Sequence, residues 1–403
     1  MNISALIERE QILEIAERLN ALKLNVNLQS SLSVIDNEGN IWITPDDLWP
    51  QRLQGNDILF FTDEESEKEI AKKKPDSSYL ALHRAIYQKN LNVRAIIQVN
   101  SPTITAIGDE LSYAMLNLMP YHTFGIGTIS IEQSPDFNKA GFIKSIADLN
   151  EEEPATVLLR NFGMIAASNS LENALLQIER IEHIAKASRK ARTLTEIKSY
   201  SLDTIEKVDQ ALPKEFVGLR GRKPSIDFTP FYRDLIDLTQ TAFFNEWITF
   251  YGGSFSVRVD ELTFFMTSQA TSRNQSVQSD FSIFKGGKVD SSKSPDRTVN
   301  IHQEIYFQNK QVNCIAFIEP DSLISAILSG QKPEYTKPNN SYKFNNKVEI
   351  LPFESLADPE KIANAISLRQ DGILIENFMY LCVDKTVENL VNRLFSLVSL
   401  SRL

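Results

Sequence analysis

Ser31-Leu-Ser33-Val-Ile-Asp36, followed by Ile41-Trp-Ile-Thr44-Pro-Asp46, has a counterpart later in the chain. It is Gly253-Ser-Phe-Ser256-Val-Arg258, followed by Phe264-Phe-Met-Thr267-Ser-Gln269. Ser33 to Ile43 spans ten residues, and so does Ser256 to Met266. Fourteen residues after Ile43, Asp57 opens Asp-Ile-Leu-Phe-Phe; fourteen after Met266, Asp280 opens Asp-Phe-Ser-Ile-Phe. Downstream, His83-Arg-Ala-Ile-Tyr87 matches His302-Gln-Glu-Ile-Tyr306. Each precedes a strand-like run, Val93–Val99 in one half and Val312–Ile318 in the other. Val157-Leu-Leu-Arg-Asn161-Phe162 matches Ile373-Leu-Ile-Glu-Asn377-Phe378, and each asparagine stands eleven residues before a Glu-Asn pair. Matching positions lie 223 residues apart at the serines, 219 at the histidines and 216 at the asparagines. Five blocks keep their order with only the drift that loop insertions produce, so the chain is a tandem duplication.

A length of 403 residues exceeds one ordinary domain. The repeat divides it into one domain over 1–192, a linker over 193–225 and a more diverged domain over 226–403. The linker reading rests on Pro213, Gly218, Gly221 and Pro224, with Arg220, Arg222 and Lys223 clustered among them. Hydrophobic residues at 42% and charged residues at 23% exclude a disordered or collagen-like chain. Fifty-two acids against 42 bases give a net charge of -10, which opposes nucleic-acid binding by bulk attraction to phosphate. The basic cluster Lys186, Arg189, Lys190 and Arg192 is accounted for by the negative end of a helix. Cys314 and Cys382 lie in apolar runs and are read as buried packing residues in a reducing compartment. Glu8 and Glu10 stand where a secretory signal would be basic, and no run nears the ~18 apolar residues of a membrane span. A cytoplasmic protein without a membrane segment is expected.

Each half alternates helix and strand signals. Residues 4–21 place Ala5, Leu6, Ile12, Ile15, Ala16 and Leu19 largely on one helical face. Asp36-Asn-Glu-Gly39 predicts a hairpin turn between two short strands. A helix over about 77–90 leads into a strand over 93–99. Ser170 caps the terminal helix with Glu172 at its positive end, and Thr386 with Glu388 repeats that arrangement. Thr62 to Glu69, ending in Lys72-Lys-Lys-Pro75, reads as a solvated loop or short helix. The order predicts helices on a mixed, mainly antiparallel sheet in each half, rather than a regular parallel array.

Together these blocks resemble the class II aldolase/adducin domain family. That family carries a Gly-Asn-x-Ser strand, a Thr-Pro-Thr-Gly-like turn, Pro-Ser-Ser-Glu, a His-x-x-x-Tyr helix, a His-x-His strand and Asn-His-Gly. The first half keeps Ser33, Ile43-Thr44-Pro45, Ser77-Ser78, His83, Tyr87, Ser101-Pro102 and Asn161-x-Gly163. The second keeps Ser256, Thr267, His302, Tyr306 and Asn377. The resemblance implies two tandem α/β/α domains. It also implies a cleft which, in the family, holds a divalent metal, typically zinc, on three histidines. The metal acts there as a Lewis acid on an enediolate.

At the implied positions the chemistry differs. The His-x-His pair falls on Gln98 and Asn100, and the Asn-His-Gly histidine falls on Phe162; the second half has Phe317, Glu319 and Phe378. Neutral amides are poor zinc ligands and phenylalanine offers no donor. The family's acid/base glutamate corresponds to Tyr79 and Thr298, neither ionised at neutral pH. The phosphate turn corresponds to Asp46-Asp47, where one carboxylate near a substrate phosphate would cost ~3–4 kcal/mol. Ser31, Ser77 and Ser78 remain nearby. The second half has Ser254 and, at the turn, Ser268-Gln269-Ala270.

The expected function is therefore a non-catalytic, adducin-like scaffold or binding protein with no metal and no cofactor. Its partners would be a protein or a small ligand, with neither nucleic acid nor membrane. Two chains would pair into a pseudo-tetramer of domains. The alternative is a repurposed, metal-independent lyase or isomerase acting on a small sugar or sugar phosphate. Tyr79, Gln98, Asn100, Tyr121 and His122 would then line a polar pocket in the first half. His122 is open to a cleft role or a scaffold role, His83 and His302 are expected to hydrogen-bond within the fold, and Glu179 with His183 reads as a surface pair at i, i+4.

Overall fold

Ser33 lies opposite Ile43 in an antiparallel pair, and Ser256 lies opposite Met266, so the ten-residue spacing of the repeat is a hairpin register. The structure, a computed structural model, describes residues 3–24, 30–46, 52–62, 79–133, 136–137, 139–214, 216–217, 228–269, 271–290, 293–333, 348–366 and 372–400. Two compact units result: Met1–Leu116 with His122–Lys186, and Asn117–Tyr121 with Ala187–Leu403.

The first unit runs through α1 (Ile3–Ala21), β1 (Ser31–Ile35), β2 (Ile41–Ile43), β3 (Leu59–Phe61), α2 (Leu80–Lys89) and β4 (Ala95–Val99). It continues with α3 (Pro102–Ile107), α4 (Tyr113–Leu116), β5 (Thr128–Glu132), α5 (Ala140–Asp148), β6 (Ala155–Leu159), β7 (Gly163–Ser168) and α6 (Leu171–Ala191). The sheet order is β3-β2-β1-β4-β7-β6-β5, antiparallel throughout except for β5 with β6. One face of this sheet, with Ile41, Ile43, Ile96, Val157 and Ile165, packs on Leu82 and Ile86 of α2 and Ile146 of α5. Side chains alternate along a strand, so Ser33 shares that face while Leu32 and Val34 point the other way.

The second unit begins with α7 (Leu202–Ala211), α8 (Thr229–Phe244), β8 (Ser254–Arg258), β9 (Thr263–Thr267), β10 (Phe281–Lys285), β11 (Lys288–Asp290) and α9 (Val299–Gln308). Next come β12 (Cys314–Ile318), α10 (Ile324–Ser329), β13 (Val348–Leu351), α11 (Pro359–Ala365), β14 (Gly372–Ile375), β15 (Tyr380–Asp384) and α12 (Val387–Leu400). Its sheet order, β11-β10-β9-β8-β12-β15-β14-β13, repeats the first with one strand added at an edge. The single parallel pair recurs at the same place, β13 with β14. Two mixed, mainly antiparallel sheets with helices are thus built on one plan.

Each block of the repeat turns out to be a hydrogen-bonding device used twice. Thr44 Oγ1 accepts from the Leu32 amide at 3.1 Å, and Thr267 Oγ1 accepts from the Phe255 amide at 3.1 Å. Asp57 accepts from the Gln54 amide at 2.8 Å, and Asp280 from the Val277 amide at 2.9 Å, each closing a single turn. Asn161 and Asn377 hold φ of 57° and 54°, the left-handed turn that asparagine tolerates better than most side chains. Ser170 and Thr386 accept from the amides three residues on, each at 3.2 Å, as N-caps. Most deeply placed is a Ser–His–Tyr knot. Ser33 Oγ lies 2.7 Å from both His83 Nδ1 and Tyr87 Oη, while Ser256 Oγ lies 2.6 Å from His302 Nδ1 and 2.8 Å from Tyr306 Oη.

Several expectations change in the structure. The helix expected over 77–90 is described over Leu80–Lys89, because Ser77 and Ser78 lie outside the described residues, as do Asp47, Ala270, residues 63–75 and the cluster at 220–223. Within the stretch read as a linker, Leu202–Ala211 is helical and joined to the second unit. Arg297 donates to the Asp209 carboxylate at 2.7 Å and to the Leu212 carbonyl at 3.2 Å. Glu179 and His183 are not a surface pair. α6 buries Leu175, Ile178, Ile181 and Ala185 together with Glu179, Glu182 and His183, so little of its circumference is left to water. Glu182 accepts hydrogen bonds from Ser101 and Thr103, which ties α6 to the start of α3. Both cysteines are buried and free. No helix among the described residues is long and apolar enough to cross a membrane.

The paired knots make the fold acid-sensitive. Burial alone pushes His83 and His302 down to about 3, against about 6.5 in an unfolded chain. Between those limits the unfolded state binds the protons and the native state does not. Stability is therefore complete above about pH 6.5 and falls as the pH is lowered through the window. Urea midpoints between pH 7.5 and 4 are expected to drop with decreasing pH, each histidine contributing up to about 1.4 kcal/mol per unit.

Candidate functional site

In the first unit the cleft residues implied by the resemblance gather around the start of α2. Tyr79 immediately precedes that helix and is buried, and its phenol shares a hydrogen bond with the Gln98 side chain. Burial raises the phenol's pKa, the Asp46 carboxylate raises it further, and the Gln98 bond opposes them. Tyr79 therefore stays neutral. Gln98 is fully buried on β4 opposite Ser31 of β1, which is also buried, and Asn100 is half-buried just beyond the strand end. Phe162, in the turn between β6 and β7, joins the apolar core. Its ring centroid lies 5.2 Å from that of Phe137, which in turn lies 5.1 Å from Tyr79 and 5.5 Å from Phe142. The histidine and glutamate positions of the resemblance are thus two rings of one aromatic cluster. Gly163 follows in close contact: a Cβ there would fall 2.0 Å from the Val99 carbonyl.

The second unit builds its version from different parts. Phe317 on β12 and Phe378 after β14 are completely buried, with centroids 5.6 Å apart at 57°. His302 packs on Phe317 at 5.4 Å, and Tyr121 on Phe378 at 4.6 Å. Glu319 is buried beside Gly252, where a Cβ would come within 2.5 Å of its Oε1. Gln269 is held by its turn, its side chain donating to the Pro295 carbonyl at 2.9 Å. Beneath that turn lies buried Arg273, whose guanidinium donates to the carbonyls of Gly252, Gly253 and Ser268 and to Thr271 Oγ1.

A continuous hydrogen-bonded chain crosses this second unit. Tyr121 Oη donates to Asp296 at 3.1 Å, and Asp296 accepts from Thr298 Oγ1 at 2.6 Å. Thr298 Oγ1 lies 2.8 Å from Ser254 Oγ, which lies 3.1 Å from His302 Nε2. The other side of that imidazole reaches Ser256 and Tyr306. The chain links a half-buried carboxylate to a buried imidazole through hydroxyls that can each donate and accept.

Sequence reasoning missed Asp296 and Arg273. Asp296 stands two residues before the helix position at which a carboxylate was sought, and nothing local marks Arg273 as buried. Tyr121, expected in a first-half pocket, belongs to the second unit, because Asn117–Tyr121 packs with Asp296 and Phe378. His122 stays with the first unit, its ring centroid 4.9 Å from that of His183. A cavity of about 180 Å³ in the first unit lies elsewhere, against Glu8, Asp36, Asn37, Arg94, Ser170 and Glu172; no cleft residue named above lines it.

The chain matches the family described as Class II Aldolase and Adducin N-terminal domain over residues 10–188 and again over 233–403. Among solved structures, it is similar to YgbL from Klebsiella pneumoniae, a putative aldolase/epimerase/decarboxylase. That likeness is at 20% identity and TM-score 0.44, covering 50% of this chain and 98% of that one. An L-fuculose 1-phosphate aldolase is 20% identical with TM-score 0.40, covering 49% and 92%. A sugar-phosphate aldolase from Thermotoga maritima is 15% identical with TM-score 0.39, covering 47% and 98%. No curated protein matches. The two matched segments take in most of the chain, which therefore belongs to the class II aldolase and adducin N-terminal domain family and carries that domain twice.

Proposed function

We propose that this chain is a tandem aldolase-fold scaffold in which the family's metal-dependent cleavage has been given up and the fold retained for binding. The observation that supports it most is the contact between Phe317 and Phe378, two completely buried rings at two of the three ligand positions of the second repeat. A divalent ion needs lone pairs converging on one point, and neither ring supplies any. In the first repeat Gln98 and Asn100 offer neutral amides, and Phe162 is part of the core. The residues present do not fit the family's metal. The bound species would be a protein partner or a small sugar-like ligand, and two chains would assemble into a pseudo-tetramer of four domains.

A second reading is favoured by one observation, the Tyr121–Asp296–Thr298 chain. It sets a carboxylate and a phenol side by side, as a metal-independent lyase or isomerase acting on a sugar or sugar phosphate would require.

Four measurements test these readings. Phe317→Ala is expected to destabilise the protein by about 3–5 kcal/mol in urea unfolding, as for a core aromatic; a loss below about 1 kcal/mol would mean that the ring lines an open cleft instead. Incubation of the full chain with ketose 1-phosphates and added Zn²⁺ is expected to release no aldehyde; metal-dependent turnover would overturn the scaffold reading. A thermal-shift screen of sugars and sugar phosphates, followed by turnover assays of any hit with Asp296→Asn, separates binding alone from catalysis. Light scattering is expected to return twice the chain mass of 45.7 kDa.

A further inference from the structure

The four histidines fall into two pairs of different origin. His83 and His302 occupy equivalent places in the two repeats and are knotted to serine hydroxyls, which explains their presence as shared architecture. His122 and His183 have no such explanation. His183 lies eleven residues after Glu172 on α6, and the matching residue of the second repeat, eleven after Glu388, is Ser399. The repeat plan therefore does not require an imidazole there.

The fold nevertheless brings these two rings together. His122 sits in the short 3₁₀ segment Pro120–Thr123 and His183 in the middle of α6, and they are only 4% and 5% exposed. Their centroids lie 4.9 Å apart at 50°, and each presents a ligand nitrogen within 4.8 Å of the other's. Neutral imidazole is a preferred ligand of borderline transition-metal dications, with Zn–N distances of about 2.0–2.1 Å. Two nitrogens bound to one such ion stand about 3.4 Å apart at the tetrahedral angle, so a modest side-chain rotation closes the pair onto a metal.

We propose that His122 and His183 form a binding site for a zinc-class dication, separate from positions 98, 100 and 162 where the family's ligands would stand. The two imidazoles supply half of a tetrahedral set and leave two positions for oxygen ligands. The ion fastens the segment carrying His122 to the terminal helix of the first unit.

The test uses the untagged full chain, stripped with a chelator and titrated calorimetrically with Zn²⁺ and optically with Co²⁺. One equivalent is expected, with a dissociation constant at or below the micromolar range and cobalt visible bands of tetrahedral intensity. His122→Ala and His183→Ala should each weaken binding at least about tenfold, and the double variant should abolish the bands. If circular dichroism shows an alanine variant unfolded, His122→Asn and His183→Gln, which keep more of the packing volume, take its place. Absence of stoichiometric binding by the intact chain would overturn the site. So would binding that survives in the folded double variant, which would place the ion at other residues.

Discussion

Everything in either repeat is arranged around one buried hydrogen-bond knot, a serine on the first strand of the hairpin held by a histidine and a tyrosine one turn apart on the following helix. Ser33 with His83 and Tyr87, and Ser256 with His302 and Tyr306, share the same geometry to within about 0.1 Å. The knot fixes which face of the hairpin looks toward the helix, because a one-residue slip would turn the serine to the opposite side. It also keeps both histidines neutral, since burial leaves no compensation for an added charge. The threonine that closes the hairpin and the aspartate that ends the next turn are further ties in the same frame.

Around that constant frame the two repeats fill their clefts differently. The first uses Tyr79, Phe137, Phe142 and Phe162 as an aromatic cluster continuous with the core. The second packs His302, Phe317, Phe378 and Tyr121 against one another, and links Thr298 to Asp296 by a hydrogen bond. Aromatic rings offer large apolar area and fixed geometry, so they fill such positions without leaving an unsatisfied polar group.

The repeat was legible because its blocks are local devices. Ten residues between Ser33 and Ile43 can be counted in the sequence, and in the structure they are a register. The same holds for Asn161 and Asn377 in their left-handed turns and for the caps Ser170 and Thr386, whose work is done within a few residues. The site was only partly legible. Tyr79, Gln98, Phe162 and Phe317 could be placed by the resemblance, but Asp296 and Arg273 act through partners distant in sequence. Tyr121 was assigned to the wrong half for a similar reason: its neighbours Asp296 and Phe378 lie well over a hundred residues away.

The sequence by itself determined the duplication and the mixed α/β character of each repeat. Those features depend on spacing, periodicity and residue type, all of which a linear reading preserves. Only the tertiary structure decided that α6 buries Glu179, Glu182 and His183 rather than showing them to solvent, and that His122 meets His183. Helical periodicity says which residues share a face, but burial depends on what covers the other faces. Here that cover comes from segments far apart in the chain, whose meeting is set by packing rather than by local pattern.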